Sequence, residues 1–245
     1  MMHTRLLPIA MMLCAQLCCT VSARATSSAD LDSLEYYLAR RDSIDLAKLQ
    51  RISSYTDVRQ LFDEYASFAY DSASLYCIRM YDESILSGDK NANVKAQVAR
   101  SFLYLSGGLF KEAADLLEHV DLADTDTSTR INYYTTYARL LYDLADYNRS
   151  DLSPDYRRRG NIMTDSAIAL LPTQDTALFW YLSAVKDMKQ QNYVRALERF
   201  EHQIGYAGNS LHDLAITYSS MAYICGQMGQ QESAQHYNIV AAIYD

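Results

Sequence analysis

A pattern of small and large residues recurs along the chain at intervals of roughly 40 residues, and a period of that size restricts the fold to a stack of like units. From Val94, Ser101, Tyr104, Gly108, Phe110, Ala113, Leu117 and Val120 fall at positions 8, 11, 15, 17, 20, 24 and 27 of the unit. From Ala177 the same frame puts Trp180 at 4, Ala184 at 8, Tyr193 at 17, Ala196 at 20 and Phe200 at 24. From Ala215 it puts Tyr218 at 4, Ala222 at 8, Cys225 at 11, Gly229 at 15, Ala234 at 20 and Ala241 at 27. Small residues at 8 and 20 let the two helices of a hairpin cross closely, while large ones fill the seam to the next hairpin. Two units are less regular. Residues 55–90 carry Leu61, Tyr65, Tyr70, Ala73 and Cys77 with a first helix about one residue short. Residues 131–172 carry Tyr134, Ala138 and Leu141, then an inserted segment near 148–155 before Ser153-Pro154 opens a second helix as N-cap and first helical residue.

Together these units, 55–90, 94–127, 131–172, 177–210 and 215–245, cover almost all of residues 55–245, and over that span the sequence resembles the tetratricopeptide repeat (TPR) family. The resemblance implies an all-α, right-handed superhelical solenoid of about five helical hairpins that binds extended ligands along a concave groove. Ahead of the repeats, Leu31, Leu34, Leu38, Leu49 and Ile52 are spaced for a polar-faced helix, so residues 26–54 are expected to cap the first hairpin. At the other end Ile243-Tyr244-Asp245 closes a second helix with no polar cap after it, and solenoids need capped ends. Either something else covers the last hairpin, which then offers a surface for association, or the chain is a shortened form of a longer one. The layout is similar to the exported N-terminal sensor region of Bacteroidota TPR regulator-like proteins. In those, the resemblance implies, a membrane helix, a coiled coil and an output segment follow; none of the three is read in this sequence.

Residues 1–25 form a three-part leader: His3 and Arg5, an apolar stretch from Leu6 to Thr20, and Ala23-Arg24-Ala25 as the cleavage site. The expectation is export to the periplasm with cleavage after about Ala25. The apolar stretch is too short for a bilayer, so the mature chain is expected to lack a transmembrane helix. Cleavage removes Arg5 and Arg24 and no acid, so the formal charge of −8 falls by the two lost cations to −10. That charge disfavours nucleic acid, whose binding depends on Lys and Arg displacing counterions from phosphates. Of the cysteines, Cys77 and Cys225 remain, in opposite halves of the chain, and are read as two separately buried thiols.

No catalytic constellation is found. The five histidines, 3, 119, 202, 212 and 236, include no pair four apart for a zinc protease, and Gly107-Gly108 is not followed by a phosphate-loop frame. There is no GxSxG elbow, and no acid pair stands in a plausible cleft for glycoside hydrolysis. Catalytic residues, metal and cofactor are therefore all read as none. His202 and His212 flank Gly205-Tyr206-Ala207-Gly208 and are taken as a surface pair. Arg157-Arg158-Arg159 either binds an anion or pairs with nearby Asp residues. What remains is the groove. Positions 2, 5, 9 and 12 of each first helix are expected to line it, which selects Lys95, Phe102, Asn132, Arg139, Tyr142, Tyr181 and Tyr223 as ligand-binding candidates. Tyr and Arg are common interface anchors, each joining a large contact area to a polar tip. The expected function is a non-catalytic periplasmic scaffold for a peptide or protein segment, with Lys95 and Arg139 meeting carboxylates. The alternative is the ligand-sensing region of a truncated regulatory protein.

Overall fold

The computed structural model describes residues 28–148 and 150–244, so the expected leader over residues 1–25 lies outside the described residues. Twelve α-helices and no strand occur among the described residues. After α1 (Ser28–Leu38) and α2 (Arg41–Ile52) come five antiparallel hairpins: α3 (Val58–Tyr65) with α4 (Tyr70–Ser87), α5 (Lys90–Ser106) with α6 (Phe110–Glu118), α7 (Thr127–Asn148) with α8 (Ser153–Ala169), α9 (Ala177–Lys189) with α10 (Tyr193–Ile204), and α11 (Leu211–Gln227) with α12 (Gln231–Tyr244). Successive hairpins pack on one another, as a helical solenoid requires.

The two helices of a hairpin start differently. Each first helix opens on a side-chain cap: Asp57 accepts from the Arg59 and Gln60 amides, Asp89 from Ala92, Asp126 from Thr129, Thr176 from Phe179, and Ser210 from Asp213 in a reciprocal capping box. These caps satisfy amide donors that a helix start leaves without partners. The second helices α4, α6, α8 and α10 have no side-chain cap. In three hairpins the second helix instead follows a tight turn through one left-handed residue, Gly108, Gln191 or Gly229. There the amide three residues past the end of the first helix reaches back to a carbonyl of its last turn: Leu109 to Tyr104 at 2.8 Å, Asn192 to Asp187 at 2.9 Å and Gln230 to Cys225 at 2.9 Å.

The small positions lie at the crossings. Ala73, Ala113, Ala184 and Ala196 are fully buried, with Ala138, Ala222 and Ala234 nearly so. In the third hairpin the small residue is Gly160, where an added Cβ would stand 2.7 Å from Tyr142 Cε1. Three apolar clusters follow one another along the array: Phe62, Ala73, Cys77 and Leu103; then Leu117, Leu140 and Leu141; then Phe200, Met221, Ile224 and Cys225. Cys77 and Cys225 are free and buried in the first and last of these. Burial pushes the Cys77 thiol up to about 11.

The N-terminal segment departs from the expected single cap. Two helices occupy it, and α1 packs on α12, at the opposite end of the array from the first hairpin. His236 Nδ1 lies 2.9 Å from Asp30 Oδ2 across that contact. α2 and the residues just after it reach the first hairpin, where Arg51 and the Tyr55 hydroxyl meet Glu64 at 3.1 and 3.3 Å and the Lys48 ammonium stands over the Phe68 ring. The expected leucine face is largely in water: Leu31, Leu38 and Leu49 are about half exposed, and Ile52 alone of the five is buried. No described helix is long and apolar enough to cross a membrane.

Candidate functional site

The first helices line a concave face, and on it α3, α5, α7 and the start of α11 enclose a pocket of about 270 Å³. Phe62, Val98, Ala99 and Phe102 form its apolar wall; Arg59, Asp63, Lys95, Asn132, Thr135 and His212 supply the polar groups. The helical register of α3 explains its share. Leu61 and Phe62 are buried, Phe62 in the first core cluster, which leaves Arg59 and Asp63, four apart, paired beside them with Arg59 Nε 2.9 Å from both carboxylate oxygens. Lys95 is paired as well, at 2.8 Å from Asp126 Oδ2, an oxygen that also accepts from Asn91. The Lys95 ammonium, helped by the Thr129 amide, holds the Asp126 carboxyl far below the ordinary carboxylate range. By contrast, Thr135 Oγ1 is buried without a hydrogen-bond partner, and neither Asn132 nor His212 makes a side-chain hydrogen bond among the described residues.

His212 arrives from the fifth hairpin because the link before it is fixed. Asn209 donates to the carbonyls of Gln203 and Tyr206 at 2.9 and 3.1 Å, while buried Gln203 donates to Asn209 and accepts from Thr217 at 2.8 Å. The Ser210–Asp213 capping box then starts α11, placing His212 in its first turn and at the pocket.

Of the seven residues expected to bind, Lys95, Phe102 and Asn132 line the pocket. Arg139 is next to it, its guanidinium 4.9 Å from the Phe102 ring centroid and its Nε 3.5 Å from Asp143. Burial pushes the Asp143 carboxyl up, against the pull of Arg139 and Lys189. Tyr181 packs against the Phe200 cluster, and burial pushes its hydroxyl up, against the pull of the Arg139 charge. Tyr142 does not face the groove. It is 2% exposed, its hydroxyl donates to Asn161 Oδ1 at 2.9 Å and lies 3.0 Å from Thr164 Oγ1, and Gly160 leaves the space for its ring. The frame assigned Tyr142 outward, but α7 and α8 cross closely enough at Gly160 to take the ring between them. Tyr223 is 54% exposed and is not part of the pocket. The expectation that Lys95 and Arg139 stand ready for a ligand carboxylate is also altered, since both already face an aspartate.

The frame missed Arg59, Phe62 and Asp63, because the first unit is irregular, and it missed His212, because it started the fifth unit at Ala215 while α11 begins at Leu211. The two histidines of the expected pair are separate: His202 stacks on Trp180 at 4.6 Å between centroids, and Trp180 Nε1 donates to Asp175 and Tyr206. The arginine run is paired, Arg157 with Asp146 and Arg158 with Asp155, while Arg159 reaches the Tyr137 hydroxyl. No cluster of three His, Cys, Asp or Glu suited to a metal ion occurs among the described residues.

A family model for the SusR N-terminal TPR domain matches residues 38–245. The chain belongs to this family. No curated protein and no solved structure gives a significant match. Within the SusR N-terminal TPR family assignment, the matched span begins at the last residue of α1 and takes in all five hairpins and the pocket. Such repeats form protein-interaction scaffolds, whose curved stack offers a continuous surface that no single hairpin could present.

Proposed function

We propose that the protein is a non-catalytic scaffold, exported to the periplasm, that binds a peptide or protein segment on its concave face and seats one side chain of it in the α3–α5–α7–α11 pocket. The observation that carries this reading is the division of polar groups there. Arg59 and Lys95 are matched by Asp63 and Asp126, whereas Asn132, His212 and the Thr135 hydroxyl have no partner among the described residues. A guest that brings hydrogen-bonding groups and an apolar surface against Phe62 and Phe102 gains contacts without breaking an ion pair.

A second reading, a ligand-sensing region of a regulatory protein, is favoured by a pocket that draws its lining from four hairpins. At about 270 Å³ it is at the small end for ligand sites, and His212 crosses to it from the fifth hairpin. A description of the family as an N-terminal domain supports the same reading.

The test is a cross-linked pull-down from the cell envelope with mature residues 26–245, beside the double substitution Asn132→Ala, His212→Ala. Neither side chain holds the fold together, so the variant is expected to keep its melting temperature and lose the retained partner. Retention of the same partner by both chains would remove the pocket from the binding site. Retention of none by either, with a small molecule from the envelope fraction raising the melting temperature of the parent alone, would favour the sensing region.

A further inference from the structure

The pocket takes its walls from both ends of the array, Arg59 and Phe62 from the first hairpin and His212 from the fifth. In a stack where each hairpin rests on its neighbours, small rotations at every interface add up at the ends. A segment that grips both ends therefore has leverage over the pocket that no single interface has. One segment does. α2 and the residues just after it hold the first hairpin through Lys48 over Phe68 and through Arg51 and Tyr55 on Glu64, and α1 holds the fifth through its packing on α12. Only Ala39 and Arg40 separate the two helices, and both amides are bonded back into α1, at 3.0 Å each. The link is short and ordered, so a displacement of α1 is passed to α2.

The two grips are unequal in kind. Asp30 and His236 meet at 2.9 Å with side chains only 19% and 12% exposed, while Leu31 and Leu38 of α1 remain 47% and 59% exposed and Leu34 is half-buried. α1 is therefore seated in part by a polar pair and leaves much of its apolar face in water, which suits a contact that forms and breaks.

We infer that α1 and α2 form a strap that sets the closure of the concave pocket: seated on α12, α1 holds His212 over α3, and released, it lets the first and fifth hairpins part. The inference rests on the reading that the pocket is the binding site and adds how that site is controlled. A guest that touches both α3 and His212 binds the strapped form more tightly and, by linkage, tightens the seat of α1 to the same degree.

Spin labels on Leu86→Cys of α4 and Asn238→Cys of α12, both exposed positions, report the separation of the two ends in the mature chain, and the native thiols at 2% and 0% exposure stay unlabelled. The parent is expected to give one short distance distribution. The pair Asp30→Ala, Leu34→Asp removes the seat on α12 and is expected to lose the short population together with amide protection over residues 28–38. Glu64→Gln loosens the other grip without touching the α1 seat and is expected to broaden the distribution in the same direction. If protection over residues 28–38 is lost while both variants keep the parent distribution, the strap does not set closure and the inference falls, whatever the pull-down shows. If the distances move as expected while Asn132→Ala, His212→Ala retains its partner, the strap stands and the binding reading fails.

Discussion

Hairpins α5–α6, α9–α10 and α11–α12 turn through one left-handed residue, whereas the α3–α4 and α7–α8 links have none among the described residues, and α3 and α7 of this second group supply half of the residues that line the pocket. The regular C-terminal hairpins put their apolar residues into a tight seam, with Phe200, Ile224 and Cys225 fully buried. α4, in contrast, leaves Leu75, Ile78 and Ile85 more than half exposed, and its partner helix α3 is only eight residues long. A repeat that keeps the common geometry fills the space between its helices. A repeat that departs from it leaves space and unpaired groups, and a concave pocket is where both are useful.

The regular half should therefore hold most of the stability, and its polar centre is Asp187. This residue of α9 is 2% exposed and accepts from Arg195 and Arg199 of α10, the latter at 2.8 Å, while its own carbonyl receives the Asn192 amide that closes the turn. Losing charge-assisted hydrogen bonds to a buried carboxylate costs about 1.5–3 kcal/mol, while the Arg195 and Arg199 side chains left behind, 54% and 29% exposed, keep access to water. Asp187→Ala is expected to destabilise by that amount in urea unfolding. A loss below about 1 kcal/mol, the level of an exposed ion pair, would mean that the α9–α10 seam is apolar in its energetics and the clamp incidental.

The irregular third hairpin sharpens the comparison from the other side. Gly160 is required by the Tyr142 ring, so Gly160→Ala is expected to cost about 1–3 kcal/mol by overpacking. In the background Tyr142→Leu, which removes the ring that a Cβ would strike, the same substitution is expected to be close to neutral. The difference between the two costs, read by thermal melts of all four chains, measures the coupling directly. Equal costs in both backgrounds would show that Gly160 matters for α8 itself and not for the crossing.

The same contrast explains what could be read from the residues. Ser101, Ala113, Ala184 and Ala196 occupy the crossings where their spacing put them, since close approach of two helices admits few residue types. The groove was less legible. Lys95, Phe102 and Asn132 follow from a helix's own register, but whether an outward position meets solvent or a neighbour depends on how far adjacent helices splay, and Tyr142 went to the neighbour. The seat of α1 on α12 and the arrival of His212 beside α3 depend on accumulated curvature over five hairpins. No local spacing encodes that sum, and an apolar face such as that of α1 names no partner.

The smallest effect concerns the shared turn itself. Gly108 and Gly229 adopt the left-handed conformation without a Cβ, while Gln191, with φ of 63°, does so in the α9–α10 turn. For a residue with a side chain that conformation costs about 1–2 kcal/mol, and a glycine returns about 0.4–1 kcal/mol of this through the greater freedom of its unfolded chain. Gln191→Gly is therefore expected to stabilise by about 0.5–1 kcal/mol, and Gly229→Ala to destabilise by a similar or larger amount, both read as shifts in the urea midpoint at constant slope. If the turns are equivalent, the two shifts have opposite signs. A destabilising Gln191→Gly would break the equivalence and indicate that the side chain supports the α9–α10 hairpin through contacts the other two turns lack. The Asp187 clamp lies directly before that turn, so a measurable coupling between Gln191→Gly and Asp187→Ala would locate those contacts at the clamp.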